Sequence, residues 1–234
     1  MSDWKQKRFW TSAAVVDAGE GFAVELDGRR LRTPAKAELS VPTSSMAEAI
    51  AAEWMAQDDV INPLSMPVTR SANAAIDKVR HQRREVADML AAYGDADLLC
   101  YRAESPQELV ERQAEHWNPP LDWAADVLDA RLAVHHGVIH QPQPPETIAR
   151  LSERVHANSD FQLAAFHDLV SLSGSLILGF AATLDWREPE EIWRLSRLDE
   201  LWQEEQWGPD EEARAVAQAK SDAFLHAKSF FELS

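Results

Sequence analysis

Residues 22–34 read FAVELDGRRLRTP, and the Asp27-Gly28 pair at their centre is the strongest constraint the chain places on its own fold. A type I′ turn needs positive φ at both central residues, which Gly adopts freely and Asp tolerates, and the alternation in FAVEL has the period of a strand. A β-hairpin is therefore predicted here. SAAVV at 12–16 precedes it and ends at the turn-like DAGEG, while ELSVP follows Pro34 and Lys36. The result is three or four short strands that close near Pro42.

From Thr43 the period changes from that of a strand to that of a helix. Thr43 or Ser44 can cap MAEAIAAEWMAQ, where apolar residues recur at helical spacing. Pro63 and Pro67 in INPLSMPVTR push their predecessors out of the α region and interrupt the run. A long helix through SANAAIDKVRHQRREVADMLAAYG is predicted to stop at Gly94, with Asp95 capping the next helix. Further helices are predicted over 105–117, 119–135, 145–157 and 160–184, and Pro189 and Pro209 suit the first turns of the last two. QPQPP at 141–145 joins helices of one bundle. The fold class is α+β: a small N-terminal β domain over 1–43, then a larger all-α helical bundle domain over 44–234.

Charge excludes several partners. The net charge is -16, which repels phosphate backbones and anionic headgroups and favours a basic partner. Nucleic-acid binding and membrane insertion are not expected. The most apolar run, 169–184, carries three serines and a threonine and falls short of the roughly 20 apolar residues of a bilayer span. With Cys100 the sole cysteine, no intramolecular disulfide can form, which agrees with a reducing compartment. The N-terminal MSDWKQKRFW has neither an apolar signal core nor a small-residue cleavage site, so a mature start and a cytoplasmic setting are expected.

The candidate reactive groups are weak. His135, His136 and His140 lie close in sequence, but Gly137 weakens any helix between them and no H-E-x-x-H pattern is present. They read as loop or surface histidines, and no metal is expected. SLSGSLILG is not G-x-S-x-G; Gly174 and Gly179 suit close helix approach. No Walker A or G-x-G-x-x-G sequence occurs, and no cofactor is expected. Cys100, in DADLLCYR, reads as a small buried hydrophobe. Arg29, Arg30 and Arg32 read as solvated hairpin residues, with a second contact for an acidic partner as the other reading.

LDELWQEEQWG at 198–208 is different, because it mixes tryptophans with carboxylates. On one helix turning about 100° per residue, Leu195, Leu198 and Trp202 form a core-facing stripe flanked by Ile192 and Leu201. Trp193, Arg197, Glu200 and Glu204 project elsewhere. Two readings stay open: Trp193 packs on a neighbouring helix while Arg197 pairs with Glu200, or an aromatic anchor rimmed by carboxylates selects a basic, partly apolar partner. Glu205, Asp210, Glu211 and Glu212 add to the negative charge. Paired carboxylates can also do general acid/base work, but no apolar pocket is evident to raise one pKa.

RFW at 8–10, LDGRRLRTP at 26–34, VPT at 41–43, IAAEWMAQ at 50–57, INPLSMPVTRSANAAIDKV at 61–79, SGSLILG at 173–179 and LDELWQEEQWG at 198–208 stand in an order that resembles the ATP synthase assembly chaperone family. The resemblance is to the member acting on the alpha subunit of the F(1) sector. It implies a small β domain before a helical one, no enzymatic activity, and binding of the unassembled alpha subunit before it joins beta. On that reading the partner-binding residues are Glu200, Gln203, Glu204, Trp207 and Trp193, with Glu200 the charged contact, Trp202 a core support and Gly208 the helix end. A monomer is expected. The rival classes are a metal-dependent hydrolase of the helical domain and an acidic adaptor for another basic protein.

Overall fold

The structure, a computed structural model, describes residues 7–234. Residues 1–6, on which most of the reading of a mature N-terminus rests, lie outside that range. Four strands form an antiparallel sheet: β1 (Ala13–Asp17), β2 (Phe22–Leu26), β3 (Arg29–Arg30) and β4 (Ser40–Val41), with β2 paired to each of the others. The predicted hairpin turn is present, with φ of 47° at Asp27 and 78° at Gly28. The Asp27 carboxylate also accepts from the Ser12 hydroxyl and from the Thr11 and Ser12 amides, which hold its pKa below the usual carboxylate value. The turn residue thus ties the hairpin to the start of β1.

One side of this sheet is closed by helices. α1 (Ser44–Met55) starts at Thr43, whose hydroxyl caps the Met46 amide at 3.2 Å. Val24, Leu26, Leu39 and Val41 bury their side chains with Met46 and Ile50 of α1 and with Ile76 of α2 (Pro67–Asp77). Glu53 of α1 accepts from the first amides of α2, Val68 at 2.7 Å and Thr69 at 2.8 Å. A carboxylate at a helix N-terminus satisfies donors that have no partner within the helix.

The type of secondary structure changes at Thr43, but compactness divides the chain elsewhere. The first compact unit runs to Arg83 and also takes in Ser159–Ala165 and Ser229–Ser234; the second comprises Arg84–Asn158 and Phe166–Lys228. The sheet needs α1 and α2 to cover its apolar face, and Phe161 and Phe230 complete that core. Covering a sheet face is what makes a small β module stable in water.

Several helices break differently from the pattern in the sequence. The long helix predicted before Gly94 is interrupted between α2 and α3 (Arg83–Ala92) by a short 3-10 turn at Val79–His81. Conversely, α4 (Gln107–Val127) runs through Pro119 and Pro120, where two helices were predicted. An interior proline costs a helix about 3 kcal/mol; the fully buried Trp117 beside them holds the segment in place through packing. Short strands β5 (Tyr101–Arg102) and β6 (His135–His136) pair in parallel, followed by α5 (Pro145–His156). The run 160–184 splits at Gly174 and Ser175 into α6 (Asp160–Ser173) and α7 (Leu176–Thr183). Gly179 performs the close approach predicted for it: a Cβ there would lie 2.7 Å from Val170 and 3.2 Å from Phe166. Among the described residues no helix is long and apolar enough to cross a membrane.

Asp97, not Asp95, is the capping carboxylate after Gly94. Fully buried, it accepts from the Leu99 amide at 3.0 Å, the Ser175 hydroxyl at 2.7 Å and the Ile177 amide at 3.1 Å, joining the turn before β5 to the start of α7. Asp95 is instead taken by the Gln143 amide and His140. Burial raises the Asp97 pKa from 3.8 to about 6, against the opposing pull of its hydrogen bonds. A carboxyl whose folded pKa lies above its unfolded one stabilises the fold most when protonated, and that contribution is lost as pH rises through the folded value. Asp97→Asn removes this titration and orphans one amide donor, at a cost of about 1–3 kcal/mol. Its stability deficit relative to the parent is expected to be larger at pH 4 than at pH 7 in denaturant melts; a deficit constant over that range would contradict the assignment.

Candidate functional site

The 189–208 region folds as two helices, α8 (Pro189–Ser196) and α9 (Leu198–Trp207), joined at Arg197 with φ -103° and ψ 12°. Neither Pro nor Gly marks this break, yet the core stripe expected from a single helical wheel survives it: Ile192, Leu195 and Leu198 are all buried. For Trp193, the first of the two open readings is the one seen: it packs on a neighbouring helix. It is 7% exposed, and its ring centre lies 5.6 Å from that of Phe224 in α10 (Glu211–Glu232). It therefore stands under the surface and not on the same exposed face as Glu200. Arg197 connects the two: its guanidinium lies 5.9 Å from the centre of the Trp193 ring and its Nε 3.5 Å from a Glu200 oxygen.

Glu200, Gln203 and Trp207 are exposed on α9, Trp207 at 79%. Glu204 is half-buried and lies 3.6 Å from Arg214 of α10. Gly208 ends the helix, its amide donating to the Glu204 carbonyl at 2.9 Å. Asp210 then accepts from the Glu212 and Ala213 amides and starts α10; Pro209 stands just before that helix and not in its first turn. Between α9 and α10 lies an open groove of about 390 Å³, lined by Glu200, Asp210 and Glu212, by Arg197 and Lys220, and by Ala213 and Val216. Carboxylates around a shallow apolar floor, with an exposed tryptophan on the same helix, suit a basic and apolar protein segment better than a small substrate, which needs an enclosed cavity.

The other side of α9 faces inward. Leu195 and Leu198 are buried, whereas Trp202, expected in the core, is half-buried. Its ring is covered by the Arg112 guanidinium at 5.3 Å. Arg112 in turn binds both oxygens of Glu205, at 2.7 and 3.0 Å, which raises the Arg112 pKa and lowers that of Glu205. Glu205 is thus paired within the molecule and not offered to a partner.

A brace that the sequence did not signal holds these helices. Arg102, 5% exposed, donates to the Leu99 carbonyl at 2.7 Å, the Gln113 carbonyl at 2.9 Å and Asn118 Oδ1 at 3.1 Å, and lies 5.4 Å from the Trp117 ring centre. Gln113 reaches Asp199 of α9 at 2.8 Å, and the Trp117 indole donates to the Leu195 carbonyl at 2.8 Å. Asp199, counted among the acidic residues of 198–208, is therefore structural.

The histidines do not converge. His135 and His136 belong to β6, His140 pairs with Asp95 at 3.0 Å, and among the described residues no group of His, Cys, Asp or Glu is placed to hold a metal ion. Cys100 is fully buried, and burial pushes its thiol well above the usual range, away from nucleophilic use. Arg30 is engaged by Glu38 and Glu25, and Arg32 by the Lys36 carbonyl.

The sequence matches the ATP12 chaperone protein family over residues 7–125. It is 28% identical over 222 residues to the mitochondrial protein atp12 of Schizosaccharomyces pombe, covering 90% of this chain and 76% of that one. The fold matches the crystal structure of Atp12 from Paracoccus denitrificans with a TM-score of 0.96 at 48% identity, covering 99% of each chain. It also matches that of the Atu1473 protein of Agrobacterium tumefaciens, with a TM-score of 0.93 at 41% identity, covering 97% of this chain and 85% of that one.

The two tryptophans make the site's anatomy measurable. Trp193→Ala is expected to cost about 3–5 kcal/mol, as for a large core side chain, and Trp202→Ala about 1–2 kcal/mol, since its ring is only half removed from water. Chemical denaturation of both variants checks the order; equal losses would mean that the two rings are equally buried.

Proposed function

Because the chain belongs to the ATP12 chaperone family, we propose that it binds the unassembled alpha subunit of the ATP synthase F(1) sector, keeps it from aggregating and delivers it for assembly with beta. The chain is a chaperone and not an enzyme, and its task is to recognise and release a protein surface. An unassembled subunit exposes apolar interface that self-associates when left open. Covering that interface needs anchors of moderate affinity, which the true partner subunit then displaces without any nucleotide hydrolysis by the chaperone.

The observation that carries this reading is the exposed acidic face of α9 and α10. Glu200 and Trp207 lie exposed on a helix whose reverse side is fixed by buried contacts, so the face is preorganised. Preorganised anchors lose little conformational entropy on binding. Glu200 is the charged contact, Gln203 and Glu204 shape its surroundings, Trp207 supplies apolar area, and Trp193 supports the face from beneath through Arg197. The strong negative charge of the chain speeds encounter with a basic surface at long range. The likeness to the Paracoccus and Agrobacterium proteins supports a bacterial, cytoplasmic setting, and a monomer is the working form.

Glu200→Lys is expected to weaken binding of purified, unassembled alpha subunit about tenfold or more while changing stability by less than about 0.5 kcal/mol, as for an exposed substitution. Titration of alpha subunit, light scattering of its aggregation and a melt of the variant test the three parts together. A folded Glu200→Lys chain that binds and protects as well as the parent removes this face from the site.

A further inference from the structure

α9 has a second flank, and there the charge reverses. Arg187 and Arg194 rim an open groove of about 250 Å³ floored by Leu195, Leu198 and Leu201. Arg112, on the same rim, is committed to Glu205. Arg187 and Arg194 are exposed, and among the described residues neither forms an ion pair; Glu191 shares the groove without closing on either. What sets these two apart is their place, side by side on the rim of an apolar groove.

Their geometry suits an anion. The Arg187 guanidinium lies 4.4 Å from the Trp186 ring centre, and Trp186 lies 6.0 Å from Trp123. Stacking on an indole fixes the guanidinium plane and leaves its edge N–H groups free for the paired oxygens of a carboxylate. Leu201, half-buried in the same groove, provides apolar area next to that carboxylate.

We propose that this groove docks an acidic, apolar segment of the unassembled alpha subunit. A partner seated across α9 then presents a cation to Glu200 on one flank and a carboxylate to Arg187 and Arg194 on the other. This rests on the alpha-subunit reading above and adds an orientation to it, because a surface with one sign of charge satisfies only one of the two flanks.

The test titrates purified, unassembled alpha subunit with the parent chain, with Arg187→Gln/Arg194→Gln and with Arg187→Glu/Arg194→Glu, each checked by circular dichroism and melting. At low salt the glutamate pair is expected to bind about tenfold more weakly or worse, and the glutamine pair less weakly but in the same direction. Both gaps are expected to narrow near 1 M salt, where the screening length falls to about 3 Å. A glutamine pair that binds as tightly as the parent at low salt overturns the groove and leaves the function standing. A parent chain that binds no alpha subunit overturns both.

Discussion

The Arg102 guanidinium is the interaction on which the candidate surface depends. A buried arginine is tolerated only where its donors are answered, and here two carbonyls and an amide oxygen answer them, with the Trp117 ring beneath. Burial lowers the Arg102 pKa, yet arginine keeps its charge across any ordinary pH. The same contacts place Gln113 to bind Asp199 and Trp117 to bind the Leu195 carbonyl, so α4 fixes both α8 and α9. Glu200 and Trp207 can stay exposed because the other side of their helix is already satisfied.

Local chemistry was legible in the sequence and long-range chemistry was not. Asp27-Gly28 specifies a turn whatever surrounds it, and Thr43 specifies a helix start by a contact three residues away, so the sheet and α1 appear where they were expected. Pro119 and Pro120 misled for the converse reason: their local cost is offset by the burial of Trp117, which depends on residues far along the chain. The α8–α9 break at Arg197 has no breaker residue, and a wheel left two readings of Trp193 open; only the approach of Phe224 decides for packing on a neighbouring helix. Asp97 and Asp95 look alike in sequence, and only the approach of Ser175 and Ile177 decides which one caps.

For the site, the stretch 198–208 stood out because its composition is wrong for either a dry core or a solvated surface. The structure resolves that mixture by sorting the residues. Asp199 and Glu205 are spent within the molecule, Trp202 lies under Arg112, and Glu200, Gln203 and Trp207 are left exposed. A tally of carboxylates overstates the acidic face, since internal pairs cancel much of it. The groove toward α10 stays acidic on balance, with Glu200, Asp210 and Glu212 against Arg197 and Lys220, and the Arg197–Glu200 pair, 3.5 Å apart, is of limited worth at an exposed site.

Charge sorted in this way bears on release as well as on capture. A holdase that closed its partner's interface with a large apolar patch would bind tightly and let go slowly, because apolar area adds to affinity without favouring one orientation. Here the apolar contribution around α9 is small: one exposed tryptophan and shallow leucine and alanine floors beneath charged rims. Charged rims raise the rate of encounter more than the lifetime of the complex. Fast arrival with modest residence is what a handover by competition requires, because the incoming subunit displaces the chaperone only as quickly as the chaperone dissociates.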